Sequence, residues 1–226
     1  MALTPPAASI QTTPGLTDKR RRVADDAPGF MPFDEALALH AAAADYLSRD
    51  GSVGIGVEIG TYCGKSTVFL GAAAESHDAL IVTVDHHRGS EEHQPGWEYH
   101  DTDLVDPHSG RLDTAARFRQ TMFDADLEST VLGLLAPSTA AARVWGKEVD
   151  FVFIDGGHSM EAAQNDYDGW SRWVRPGGAL LIHDVFPNPE DGGRPPYEIY
   201  RQAIDSGRFT EVSVHGSLRI LEHLPL

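Results

Sequence analysis

Two periods of apolar residues alternate along the chain. Phe33, Leu37, Ala41, Ala44 and Leu47 recur at helical spacing, with Asp34 and Glu35 in the first turn and Gly51 as the stop. A short apolar run over 53–59 reads as a buried strand, Gly60 to Gly64 as a glycine turn and 65–74 as a helix. The succession then repeats. Strands are predicted over 80–84, 130–135, 149–154 and 179–182, and helices over 114–125, 138–145 and 159–174. Ala163, Tyr167, Trp170 and Val174 form the apolar stripe of the last of these helices, and Pro176-Gly177-Gly178 reads as a turn. After a Pro/Gly loop over 187–196, a helix runs through Tyr200 and Ile204. Two runs over 209–214 and 218–221 flank His215-Gly216-Ser217 as an antiparallel hairpin. Strands alternating with helices predict an α/β fold. It is Rossmann-like and doubly wound, a mostly parallel seven-stranded sheet with a C-terminal antiparallel hairpin. Residues 1–29 hold Pro, Thr, Ala and charge without an apolar period and predict a flexible or loosely docked arm. Residues 30–226 read as a single domain, interrupted at 86–113 by a polar loop rich in His and acids.

Charge narrows the partners. Eighteen Lys and Arg stand against 34 Asp and Glu, a formal net charge of −16. That argues against nucleic acid and anionic membrane, which need clustered cations. The single cysteine, Cys63, excludes internal disulfides and thiolate zinc clusters. No run approaches the ~18 apolar residues that span a bilayer. Arg20-Arg21-Arg22 is not followed by the apolar core of a signal peptide, so a cytoplasmic location is expected.

In open α/β sheets ligands bind beyond the carboxyl ends of the strands. Here those ends carry Glu58, Asp85, Ser138, Asp155 and His183-Asp184. The first turn is neither the G-x-G-x-x-G of dinucleotide folds nor a phosphate loop, and an acid precedes it. An acid at that edge suits a cationic ligand.

Glu58-x-Gly60-x-x-x-Gly64, followed by a strand ending in Asp85, resembles the binding motif of class I S-adenosylmethionine-dependent methyltransferases. The resemblance spans about residues 50–222. It implies that the glycine turn lies against the methionine part, Asp85 holds the ribose and Ser138 contacts adenine. The candidate cofactor-binding set is Glu58, Gly60, Tyr62, Gly64, Ser66, Asp85, His86, Ser138 and Asp155. Phe151-Val152-Phe153-Ile154-Asp155-Gly156-Gly157-His158 and His183-Asp184-Val185 sharpen it. They resemble metal-dependent O-methyltransferases, the group of macrocin-type sugar methyltransferases and cephalosporin-hydroxylase-like proteins. Within that group the chain, including His86-His87-Arg88-Gly89, resembles the mycobacterial methylmannose-polysaccharide type of sugar methyltransferase. The resemblance implies a divalent ion, Mg²⁺ first, on Asp155, Asp184 and His183. His183 stands where a carboxylate is common, and an imidazole moves the expectation towards Mn²⁺ or Fe²⁺.

Methyl transfer from a sulfonium has a neutral leaving group, so the difficulty lies with the weakly nucleophilic acceptor hydroxyl. A divalent cation and a positioned base answer it. Asp155, His158 and His183 are the candidate catalytic residues, His158 as base. Bland readings stand beside these: Asp155 as a helix cap, His183 as a core histidine and His158 as a structural hydrogen bond. In the loop, the readings for His86, His87, Glu91, Glu92 and His93 are a second metal site, a base, a polar lid with Trp97 and Tyr99 as stacking faces, or a plain solvated insertion. The expected acceptor is a small polyhydroxylated molecule, a sugar first. Alternatives are a catechol or other phenol, a nicotinamide-linked oxidoreductase, and a non-catalytic metal- or ligand-binding module. Whether the chain forms a homodimer stays open.

Overall fold

A computed structural model describes residues 13–49 and 53–225. Its elements run α1 (Asp18–Asp26), α2 (Phe33–Ser48), β1 (Ile55–Ile59), α3 (Lys65–Glu75), β2 (Leu80–Asp85), β3 (Val105–Asp106), β4 (Arg111–Leu112), α4 (Ala115–Asp124) and β5 (Val131–Leu135). They continue with α5 (Ser138–Val144), β6 (Val149–Ile154), α6 (Met160–Trp170), β7 (Val174–Ile182), α7 (Arg194–Asp205), β8 (Phe209–His215) and β9 (Leu218–His223). Seven strands make one sheet in the order β5-β2-β1-β6-β7-β9-β8. β9 alone runs against the others, pairing antiparallel with both β7 and β8. This is the expected α/β architecture, with the hairpin at one edge.

Side chains leave a strand on alternate faces, and the central strand shows the consequence. Phe151 and Phe153 on β6 join the core under α1 to α4, while Val152 and Ile154 join the one under α5 to α7. Burying one such Phe or Leu contributes about 2–3 kcal/mol. Because both faces are covered, β6 is apolar throughout except for Asp150, whose carboxylate accepts from Ile55 N at 2.7 Å and Arg175 Nε at 2.8 Å.

Three local expectations are corrected. Residues 13–29 are not a loose arm, for α1 docks on α3 and α4 through Arg20 and Ala24. The Arg20 guanidinium reaches both Glu75 oxygens, at 2.5 and 2.9 Å, and the carbonyls of Gly15, Ala125 and Asp126. The rest of the arm, 1–12, and the expected helix stop at Gly51 lie outside the described residues. The helix expected over 159–174 ends at Trp170, and Pro176-Gly177-Gly178 is absorbed into β7 through a register slip against β6. The polar loop after β2 contains the small β3–β4 hairpin. Among the described residues, no helix is long and apolar enough to cross a membrane.

Candidate active site

β1, β2, β6 and β7 run parallel, so their carboxyl ends open on one edge of the sheet. A cleft of about 1050 Å³ lies there, enough for a cofactor and an acceptor together. The glycine turn after β1 forms its floor. Gly60 has φ +87°, and a Cβ there would sit 2.2 Å from the Asp155 carbonyl oxygen, so only glycine lets the β1 and β6 ends approach this closely. Asp85 braces the turn: Oδ2 accepts from Thr61 N and Tyr62 N, each at 2.9 Å, and Oδ1 accepts from His87 N at 2.7 Å. Tyr62, His87 and Asp184 all have left-handed backbones, with φ of 49°, 57° and 55°. Such conformations concentrate where loops must aim side chains.

The cofactor candidates divide. Gly60, Tyr62, Ser66, Asp85, His86, Ser138 and Asp155 line the cleft. Glu58 does not reach it. The carboxylate is 0% exposed and accepts from the hydroxyls of Ser66 at 2.7 Å, Thr67 at 2.6 Å and Thr83 at 2.7 Å. Burial pushes it up to about 7 against those three donors. Glu58 therefore fastens the start of α3 to β2, and the Ser66 hydroxyl turns inward to it. Gly64 also lies outside the lining, as the left-handed residue before α3. Ser138 opens α5 and engages Asp166, which no sequence argument singled out. Burial pushes Asp166 up to about 6, while Ser138 opposes the shift. This pair is the polar wall at the end where the resemblance places adenine.

The second cluster lies where the resemblance places the reacting end. One ligand atom from each of Asp155, His183 and Asp184 lies within 4.8 Å of the others. His183 Nδ1 is 2.9 Å from Asp155 Oδ1 and 3.4 Å from Asp184 Oδ2. Two carboxylates and an imidazole converging at this spacing fit a divalent cation. Asp155 does not cap α6, because Ser159 accepts from Ala162 N in that role. On its far side His183 Nε2 meets Glu35 Oε2 at 3.0 Å. The ring is only 4% exposed. Burial disfavours its charged form, but Asp155, Asp184 and Glu35 outweigh it and push His183 up to about 12. Asp184, despite burial, is held well below the carboxylate range by His158 and His183. His158 spans two acids, with Nε2 3.0 Å from Asp184 and Nδ1 3.3 Å from Glu92. Burial works against its charge, yet these carboxylates raise it to about 8.

The polar loop forms a wall of this cleft. Ser90, Glu92, His93, Trp97 and Tyr99 face it, and Phe30 packs against this wall, 4.8 Å from Tyr99 and 5.9 Å from His93 between ring centroids. His93 Nδ1 accepts from Ser90 N at 3.2 Å, which leaves Nε2 as a buried N–H with no protein partner. Among the described residues, the loop histidines do not assemble a second three-donor metal cluster. His87 is structural, with Nδ1 2.7 Å from Thr114 Oγ1. Cys63 is buried filler whose thiol burial pushes up to about 12. Glu35, Phe30 and Asp166 escaped sequence reasoning. Glu35 was visible only as a first-turn acid of a helix.

A parallel sheet with one reversed strand, a glycine turn after the first strand and an acid closing the second define the S-adenosylmethionine-dependent methyltransferase class. The chain matches the Methyltransferase domain family over residues 57–185 and belongs to it; the protein is an S-adenosylmethionine-dependent methyltransferase with the fold of O-methyltransferases. A candidate O-methyltransferase from Klebsiella pneumoniae is 16% identical over 92% of this chain and 91% of that one, with a TM-score of 0.63. The SAH-bound methyltransferase PaMTH1 of Podospora anserina is 14% identical over 93% and 88%, TM-score 0.62. The O-methyltransferase NovP is 14% identical over 85% and 80%, TM-score 0.62. Identities this low speak for the fold alone.

Proposed function

We propose that the chain is a metal-assisted O-methyltransferase acting on a hydroxyl of a small polyhydroxylated acceptor, a sugar in the first instance. The observation that carries this reading is the convergence of Asp155, His183 and Asp184 within 4.8 Å, with His158 3.0 Å from Asp184. When bound, S-adenosylmethionine supplies a methyl group on a sulfonium and the divalent cation favours ionisation of the acceptor hydroxyl. Everything else falls to the chain. Gly60 lets the β1 and β6 ends meet beneath the cofactor's amino-acid end, and Asp85 keeps the turn in shape. Asp155, His183 and Asp184 hold the cation. Above its raised value of about 8, neutral His158 can take the acceptor's proton at one ring nitrogen, which then leaves its carboxylate, while the other nitrogen donates to the remaining one; Asp184 and Glu92 stabilise the imidazolium that results. Alignment of donor and acceptor in the cleft supplies much of the remaining rate.

The loop wall of the cleft supports a hydroxylated ring. Trp97, Tyr99 and Phe30 offer aromatic faces, and His93 offers its unpartnered N–H. The same aromatic faces suit a phenol, which is the second reading. Methyl transfer to a panel of monosaccharides and phenols, read by mass spectrometry with EDTA and then with Mg²⁺ or Mn²⁺ restored, tests the proposal. We expect turnover on a sugar hydroxyl, lost in EDTA and regained with metal. Asp184→Ala should abolish turnover while S-adenosylhomocysteine still binds. Undiminished activity in chelator overturns the metal reading, and preference for phenols overturns the sugar.

A further inference from the structure

Glu35 comes from α2, outside the stretch matched by the family, yet it is built into the cation cluster from behind. Its carboxylate is 6% exposed and touches three groups: Ser217 N at 3.1 Å, Ser217 Oγ at 2.8 Å and His183 Nε2 at 3.0 Å. Ser217 lies in the turn between β8 and β9. The neighbouring Gly216 makes the room, since a Cβ there would sit 2.2 Å from Glu35 Oε1. Three elements distant in sequence thus converge on one carboxylate.

That convergence decides the chemistry of the imidazole. An ionised carboxylate only accepts hydrogen bonds, and the backbone N–H of Ser217 cannot do other than donate. Nε2 facing the same carboxylate must therefore carry hydrogen. The opposite tautomer would set a lone pair against Glu35 Oε2 at 3.0 Å. With Nε2 held as donor by Glu35, the nitrogen a cation can take is Nδ1, which lies between Asp155 Oδ1 and Asp184 Oδ2; the cation would displace the proton that Nδ1 shares with those carboxylates.

We propose that Glu35 is a positioning residue of the metal centre: by holding His183 through Nε2–H it presents Nδ1 as third ligand beside Asp155 and Asp184, and so biases the site towards Mn²⁺ and similar nitrogen-accepting ions over Mg²⁺. The inference rests on the metal-assisted reading above. Its physical basis is that Mg²⁺ takes oxygen ligands and keeps its waters, whereas imidazole suits later divalent metals. Partners that orient a ligating histidine typically contribute ten- to hundredfold in metal affinity.

The test uses the full chain stripped of metal. Mn²⁺ binding is followed by the EPR signal of free Mn²⁺, Mg²⁺ by competition, and S-adenosylhomocysteine by calorimetry on the same samples. The unmutated protein should bind Mn²⁺ at least about tenfold tighter than Mg²⁺. Glu35→Met, which keeps the volume but removes the acceptor, should weaken Mn²⁺ about ten- to hundredfold and leave S-adenosylhomocysteine within about twofold. Glu35→Gln retains an acceptor oxygen and should recover part of the loss. Mn²⁺ binding unchanged in Glu35→Met, or Mg²⁺ preferred by the unmutated protein, overturns the inference while the metal reading stands. No divalent metal bound at all overturns both. If Glu35→Met does not fold, ¹⁵N-histidine NMR of the unmutated protein with Zn²⁺ decides. Metal-shifted Nδ1 with protonated Nε2 supports the assignment, and metal on Nε2 overturns it.

Discussion

His158 shows how placement turns an ordinary side chain into a candidate base. It follows the tight Gly156-Gly157 step after β6 and meets a carboxylate on each side, Asp184 at 3.0 Å and Glu92 at 3.3 Å. If His158 carries the acceptor's proton, His158→Ala should lower kcat about 10²- to 10⁴-fold with S-adenosylhomocysteine affinity retained. A fall in binding with kcat intact would assign it to the acceptor site instead. Asp166 offers a residue-scale prediction of a different kind. Its folded value, about 6, lies above the ordinary 3.8, so the native state keeps a proton that the unfolded chain has lost. The stability this contributes is present below the unfolded value and disappears as pH rises through about 6. Asp166→Asn removes that slope. Thermal melts should coincide near pH 4 and separate above pH 6, the variant being more stable by roughly 2–3 kcal/mol. The placement of Asp155, His158, His183 and Asp184 in the cleft was legible because strand ends are fixed by apolar runs and the following residue must face the edge. Glu35 and Asp166 were not, since each acquires its meaning from a partner brought up by the fold: His183 for one, Ser138 for the other.

At the scale of elements, periodicity served wherever a buried stripe exists and failed where it does not. The seven strands and the helices α2 to α7 follow from apolar runs. α1 has no such stripe. Its buried face is Arg20 and Ala24, and an arginine does not register as core in any pattern of apolar residues. What holds α1 is a fork of charge-assisted bonds onto Glu75 and three carbonyls. Arg20→Ala leaves those acceptors without their donor and should cost about 2–4 kcal/mol, visible as a fall of roughly 5–15 °C in Tm. The segment that follows α1 carries Phe30 and Glu35 to the cleft, so release of α1 should also weaken ligand binding. An unchanged Tm would return residues 13–29 to the loose arm that the polar composition suggested. The step at Pro176-Gly177-Gly178 failed for the complementary reason. Proline and glycine signal a turn locally, but pairing of β7 with β6 carries the strand across them.

Across the whole molecule, the net charge of −16 acquires a location. Eight carboxylates line the cleft, those of Glu35, Asp85, Glu91, Glu92, Asp155, Asp166, Asp184 and Asp191. Among the described residues the single Lys or Arg in that lining is Lys65, whose ammonium donates to the Ala24 carbonyl at 2.9 Å. Low-dielectric walls of one sign focus the field into a cleft and favour cations over anions there. S-adenosylmethionine carries one more positive charge than S-adenosylhomocysteine, and both fill nearly the same volume. The pair therefore isolates the electrostatic contribution from shape. Raising NaCl from about 0.05 to 0.5 M shortens the screening length from over 10 Å to about 4 Å. Affinity for S-adenosylmethionine should fall about three- to tenfold over that range, while affinity for S-adenosylhomocysteine changes by less than about twofold. Calorimetry on both ligands in the same salt series reads the difference directly. Equal salt slopes would mean that the clustered acids are neutralised by their histidine partners, His158 and His183, before any ligand arrives. Unequal slopes would make the acidic cleft itself part of how the enzyme tells the methyl donor from its spent product.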